Sequence, residues 1–116
     1  MNLSGFSDKM IVFQGEGIGR GDPALSSKMM RGFLKMLTKQ TSKPKALFFL
    51  GDSVKLLVKD SPVLEFFQLL KQDGVELLVC RAAVEWYSLE SNLEIGKIIS
   101  TGLWFQLLSE LNVITL

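Results

Sequence analysis

The sequence predicts an α/β protein, a three-layer α/β/α arrangement built on a mainly parallel sheet of about five strands. Three observations carry that expectation. Short apolar runs of strand length alternate with stretches of helical period, the order that a parallel sheet with crossover helices requires. The runs at 10–13, 46–50 and 75–79 are nearly continuous in apolar residues, as strands buried on both faces should be. Hydrophobic residues make up 47% of the 116, enough for a sizeable core and too many for a disordered chain, and the length suits one domain over residues 1–116.

Each element follows from local chemistry. Lys9 to Phe13 reads as the first strand, and the glycine-rich segment from Gly15 to Gly21 as a flexible loop. Asp22-Pro23 supplies an N-cap and a proline at the first helical position. Leu25, Met29, Phe33 and Leu37, joined by Met30 and Leu34, define one apolar face of a helix running to about Lys39. Lys43-Pro44 breaks it, and Ala46 to Leu50 forms the second strand. Gly51-Asp52-Ser53 turns, and Val54 to Val58 makes a short helical turn or loop. Ser61-Pro62 repeats the cap-plus-proline start for a helix facing inward through Val63, Phe66, Phe67 and Leu70 and ended by Gly74.

The run from Val75 is the third strand, closed by Cys80. Ala82 to Tyr87 is a short helix, Ile98-Ile99 the heart of a fourth strand starting near Ile95 or Gly96, and Ser100 the cap of a last helix carrying Trp104, Leu107, Leu108 and Leu111. Val113 to Leu116 closes the sheet as a fifth strand. In such a fold ligands bind beyond the C-terminal ends of the strands. That edge gathers Gln14 to Gly21, Gly51 to Ser53, Cys80 to Ala83 and Ser100 to Gly102.

Composition restricts the chemistry available there. The chain has no histidine and one cysteine, so a Ser-His-Asp or Cys-His device and a zinc site of the usual nitrogen and sulfur ligands are both out of reach within one chain. One cysteine forms no internal disulfide, which suits a reducing cytoplasm. No apolar stretch approaches the ~20 residues a membrane helix needs, and no secretory leader pattern opens the sequence, so a soluble cytoplasmic protein is expected. Residues 1–45 hold eight lysines and arginines against three acids, a net +5, leaving −4 for the rest. Lys28, Arg31, Lys35 and Lys39 recur at helical spacing as a solvated basic stripe. It lacks the interleaved aromatics that nucleic-acid binding calls for, and no nucleic-acid partner is expected.

The glycine loop fails the dinucleotide pattern: glycine is required at position 20 or 22, where Arg20 and Asp22 stand. No cofactor and no metal is expected. Trp86, Tyr87 and Trp104 suit stacking on a ligand, but core or subunit contact is the simpler account of them.

Cys80 sits where the third strand hands over to a helix, beside Arg81 and followed by Ala82-Ala83. A helix N-terminus and a neighbouring guanidinium both favour thiolate over thiol. A cysteine ending a buried strand also reads as a small core hydrophobe without chemistry.

Four segments occur in a telling order: Gly19-Arg20-Gly21-Asp22 before the first helix, Val54-Lys55-Leu56 after the second strand, Gly74-Val75-Glu76 leading to Cys80, and the closing Val113-Ile114-Thr115-Leu116. With them the chain resembles the DsrE-like sulfur-relay proteins over nearly its whole length, and most closely the C-terminal domain of YedF-type sulfurtransferases. The resemblance implies a single DsrE-like α/β/α domain, often assembled into trimers or hexamers. In the sulfur-relay members the cysteine ending the third strand carries a persulfide, and Cys80 occupies that position. Ala83 stands where YedF-like domains usually place the second cysteine of a Cys-x-x-Cys pair, so release through an intramolecular disulfide is closed to this chain. The small sulfur-carrier domain that often precedes such domains has no counterpart in these 116 residues.

The expected function is a sulfur relay in which Cys80 accepts sulfane sulfur from a donor protein or small thiol and passes it to an acceptor thiol. Gly15, Gly17, Asp52, Ser53, Arg81, Ala82 and Ala83 form the expected pocket, with Arg81 stabilising the persulfide and the alanines leaving room for close approach. The alternative is a non-catalytic DsrE-like binding or assembly subunit. Leu57, Trp86, Trp104, Phe105 and the terminal strand exceed what one small domain can bury, which predicts a homo-oligomer.

Overall fold

Strands buried on both faces must find cover on both, and the chain supplies it unequally. A computed structural model describes residues 5–116; residues 1–4 of the expected domain lie outside the described residues. The elements are β1 (Lys9–Phe13), α1 (Pro23–Thr38), β2 (Ala46–Phe49), a 3₁₀ segment (Gly51–Leu57), α2 (Leu64–Gln72), β3 (Glu76–Cys80), α3 (Arg81–Trp86), β4 (Lys97–Ile99), α4 (Thr101–Glu110) and β5 (Asn112–Thr115). The strands form one sheet in the order β4-β3-β2-β1-β5, every neighbour parallel.

The two-residue period of a strand divides the core. Ile11, Phe13, Leu47, Phe49, Leu77 and Val79 point to one side, where Met30, Leu34 and Leu37 of α1, Phe67 and Leu70 of α2, and Val84 of α3 meet them. Aromatic rings interlock there: Phe13 stacks on Phe49 at 5.4 Å, and Phe67 meets Phe49 edge-on at 5.0 Å. Met10, Val12, Ala46, Phe48, Leu78 and Ile99 face the other side, covered by Trp104, Leu107 and Leu108 of α4 together with Leu111. This is the three-layer α/β/α architecture.

Several expectations are corrected in detail. The buried stripe of α1 is Met30, Leu34 and Leu37, whereas Leu25 and Met29 are exposed. A strict four-residue repeat drifts around a helix of 3.6 residues per turn, so Leu25 and Leu37 cannot share one narrow stripe. Leu57 is fully buried in the larger core cluster and leaves no apolar surface for a partner. α2 begins at Leu64, two residues beyond Pro62. The backbone N–H of Leu64 donates to Ser61 O and that of Phe66 to Val63 O, both i+3 turns, while the Pro62 carbonyl accepts from Arg31 Nη1 at 3.1 Å. The Ser-Pro pair therefore builds a turn ahead of the helix. Arg31 also lies 3.7 Å from the Glu65 carboxylate and over the Phe66 ring, so one member of the basic stripe clamps α1 to α2.

The cap of α1 matches the sequence: the Asp22 carboxylate accepts from the Ala24 N–H at 2.8 Å, with Pro23 behind it. Replacing Asp22 by Ala should cost about 1 kcal/mol of stability. Phe49→Ala, which empties the centre of the aromatic cluster, should cost about 3–5 kcal/mol. Urea unfolding checks both, and similar losses in the two variants would contradict this account of the core.

Candidate functional site

The site follows from the last crossover. β4 and β5 are the opposite edges of the sheet, so α4 must carry the chain across its whole width. Four strand spacings amount to about 19 Å. A helix of ten residues is only about 15 Å long. A single short helix covers Phe48, Leu78 and Ile99, which are buried, but does not close the edge of the sheet as well. At the C-terminal ends of β2, β3 and β4 a cavity of about 450 Å³ opens beside it.

Its walls come from four segments: Phe48, Leu50 and Gly51 at the end of β2; Cys80, Ala82, Ala83, Trp86 and Tyr87 from β3 and α3; Ile99 and Ser100 at the end of β4; and Thr101 and Trp104 of α4. Phe48 and Trp104 stack with centroids 5.2 Å apart and planes 13° from parallel. Cys80 lies two residues beyond Leu78, on its α4-facing side by the strand period, and at the strand end it also packs against the larger core cluster. It is half-buried, and as the N-cap residue of α3 it makes no side-chain capping bond, so its sulfur is not committed to the backbone. Gly51 has φ +57°, and a side chain there would meet the Gln14 carbonyl at 2.9 Å, so only glycine lets the ends of β1 and β2 pass this closely.

The expected pocket residues divide. Ala82 and Ala83 line the cavity beside Cys80. Asp52, Ser53, Arg81, Gly15 and Gly17 stand outside its wall. Ser53 is buried, its hydroxyl 2.9 Å from Phe13 O and 2.8 Å from Leu50 O, where it braces the ends of β1 and β2. Gly17 packs against Ser26 so tightly that a side chain would collide at 2.6 Å, and its loop is pinned to α1 by Ile18 N–H to Ser26 O and Ser26 Oγ–H to Gly19 O. That loop lines a separate recess with Met30, Lys55 and Val63. Arg81 is solvent-exposed.

Asp52 acts from behind the wall. Its carboxylate accepts a hydrogen bond from the hydroxyl of Tyr87 and lies 3.8 Å from Lys55 Nζ, while that ammonium sits 4.3 Å from the centre of the Tyr87 ring. Ionising the phenol would lose its bond to Asp52 and set two anions side by side, so Tyr87 titrates above its ordinary range, with the negative charge of Glu16 adding to the effect. Phe48 and Ile99 escaped the sequence reading because strand residues of this type signal core, and both are indeed buried; they back the cavity only because it opens beside them at the strand ends.

A parallel α/β sheet with one thiol on the wall of an apolar recess at the C-terminal edge of its strands defines the class of protein. The family follows from the sequence match: residues 10–116 fit the model of the DsrE/DsrF-like family, and the chain belongs to it. The match is to the family as a whole and does not single out the YedF-type branch. No curated protein matches significantly. Among solved structures, MTH1491 of Methanobacterium thermoautotrophicum, described as a protein of unknown function, is similar with a TM-score of 0.67 at 13% identity, covering 93% of this chain and 97% of its own. The ychN protein from E. coli is similar with a TM-score of 0.69 at 14% identity, covering 94% of this chain and 99% of its own. These two likenesses bear on the fold.

Because Tyr87 is the sole tyrosine, its ionisation can be followed without ambiguity by tyrosinate absorbance. Asp52→Asn should lower its midpoint toward 10.0, the ordinary value. The sign for stability follows: a raised folded value contributes stability below the unfolded value that is lost as pH rises through the folded one. The Asp52-dependent part of stability should therefore disappear in alkaline solution above about pH 10. An unchanged Tyr87 midpoint in Asp52→Asn would remove the hydrogen bond from this picture.

Proposed function

We propose that the protein is a sulfur relay that carries sulfane sulfur as a persulfide on Cys80 and hands it to an acceptor thiol. The observation that carries this reading is the position of Cys80, with an uncommitted sulfur on the wall of a cavity at the C-terminal edge of the sheet. Membership of the DsrE/DsrF-like family, associated in general with sulfur relay, supports it.

The chemistry needs no oxidant. The Cys80 thiolate attacks the outer sulfur of a donor persulfide R–S–SH; the new Cys80 S–S bond forms as the old S–S bond breaks, and R–S⁻ leaves with the electron pair. An acceptor thiolate then attacks the outer sulfur of the Cys80 persulfide, and the Cys80 thiolate departs. With no second cysteine in the chain, release depends on that external thiol. Ala82 and Ala83 leave space beside the sulfur for its approach. Arg81, outside the cavity wall, contributes long-range charge at most.

The reading includes self-association. Leu25, Met29 and Met36 of α1 are exposed beside Ile18 and Phe33 along an apolar groove, and Phe105 is 72% exposed. Uncovered apolar surface of this kind marks contact sites. Light scattering should report a mass well above the 12.9 kDa of one chain, and a monomer at micromolar concentration would remove this part.

For the relay itself, intact mass after incubation with an organic persulfide should show a gain of one sulfur atom per chain, reversed by dithiothreitol and absent in Cys80→Ser. Failure to gain sulfur, together with alkylation by iodoacetamide only after unfolding, would leave Cys80 a structural thiol and favour the binding or assembly subunit.

A further inference from the structure

The cavity beside Cys80 has a chemical character that the relay reading does not specify. Among the described residues, no charged side chain contributes to its wall. The polar groups there are few and largely engaged: Ser100 Oγ accepts the N–H of Leu103 at 3.1 Å, and the Tyr87 hydroxyl donates to Asp52. The nearby ammonium, Lys55, is held by Asp52 over the Tyr87 ring. The remaining surface is aromatic and aliphatic, with Trp104 backed by the buried Phe48 and the ring of Trp86 left largely open to solvent. Its volume falls within the range of about 300–1,000 Å³ typical of small-molecule sites. Among the described residues, the Trp104 indole N–H is the one buried side-chain polar group without a partner.

We infer that this cavity selects the organic group of the sulfur donor, and that the donor is a small persulfide R–S–SH whose R is apolar and uncharged, preferably aromatic, in preference to a charged thiol carrier or an inorganic anion such as thiosulfate. Bringing ionised groups into this wall would strip their water with no counter-ion to replace it, whereas an apolar R covers Trp86 and Trp104. R lies in the cavity and its outer sulfur meets Cys80. The bond changes are those of the relay: the Cys80–sulfur bond forms, the R–S–S bond breaks, and R–S⁻ leaves. The inference rests on the relay reading for the transfer step, but the binding preference can be measured without it.

Both tryptophans and the sole tyrosine line this cavity, so intrinsic fluorescence reports on its occupancy. In Cys80→Ala, benzyl mercaptan should change tryptophan emission saturably, and glutathione should not at the same concentration. Thr101→Glu adds a carboxylate to the wall at a helix start that tolerates it, and should weaken benzyl mercaptan binding at least about tenfold. Ala82→Glu, at an exposed position on α3, gives the same test independently. In the unmodified protein, benzyl hydropersulfide should load Cys80 at least about tenfold faster than glutathione hydropersulfide. Equal loading by both, unaffected by Thr101→Glu or Ala82→Glu, would keep the relay and overturn the selectivity. Loading by neither, with saturable benzyl mercaptan binding still seen in Cys80→Ala, would overturn the relay and keep the apolar site. Absence of that binding would overturn the inference outright.

Discussion

The crossover from β4 to β5 governs what this molecule can do. The first three crossovers stay on one side of the sheet, where α1, α2 and α3 share the work of covering it. The fourth falls to α4 alone, which must join the two edge strands across the opposite face. A helix too short to span that width cannot also seal both ends of the sheet. The deficit appears at the C-terminal end of β2 to β4, and the strand period places Cys80 on the same face as the deficit. Had β3 been shifted by one residue, the sulfur would point into the aromatic cluster under α1 and α2 instead.

The same constraint explains which parts were legible in the sequence. Strands β1, β2 and β3 announce themselves because both of their faces are apolar, and Asp22-Pro23 and Ser100 mark helix starts through side-chain bonds that form as written. Ser61-Pro62 misleads because a serine and a proline make a turn as readily as a cap, and here Arg31 takes the carbonyl that a helix would have used. The position of Cys80 could be read from the end of an apolar run. The residues around it could not, because a cavity wall is set by where α4 crosses, a distance relation between residues far apart in the chain. Phe48 and Ile99 look like any core residues, and of the glycines that look like a ligand loop, Gly17 is packed against Ser26 of α1.

Polar residues near the sheet edge show a related division of labour. Asp52 and Ser53 stand in the loop after β2, where ligand-binding residues are expected, yet both serve the scaffold. Ser53 ties together the ends of β1 and β2, with its hydroxyl spanning two carbonyls. Asp52 binds the tyrosine hydroxyl and draws Lys55 over the ring, so that Tyr87 contributes to the cavity while its polar end is occupied by a charge outside it. Charges are thereby assembled around the recess and kept out of its lining.

That segregation bears on how a single thiol can be used. A protein with several ionisable groups at its site can bind an anionic sulfur donor through charge and release its cargo through a second cysteine. This chain has neither device at the cavity. What it offers is desolvation: an apolar recess walled by Trp86 and Trp104, with the half-buried Cys80 at its wall. In the proposed relay, binding energy therefore comes from the organic part of the donor, and departure of the sulfur depends on the nucleophilicity of the acceptor. Selectivity and turnover then rest on different partners, the first on the shape and polarity of R and the second on the thiol that follows it into the space beside Ala82 and Ala83.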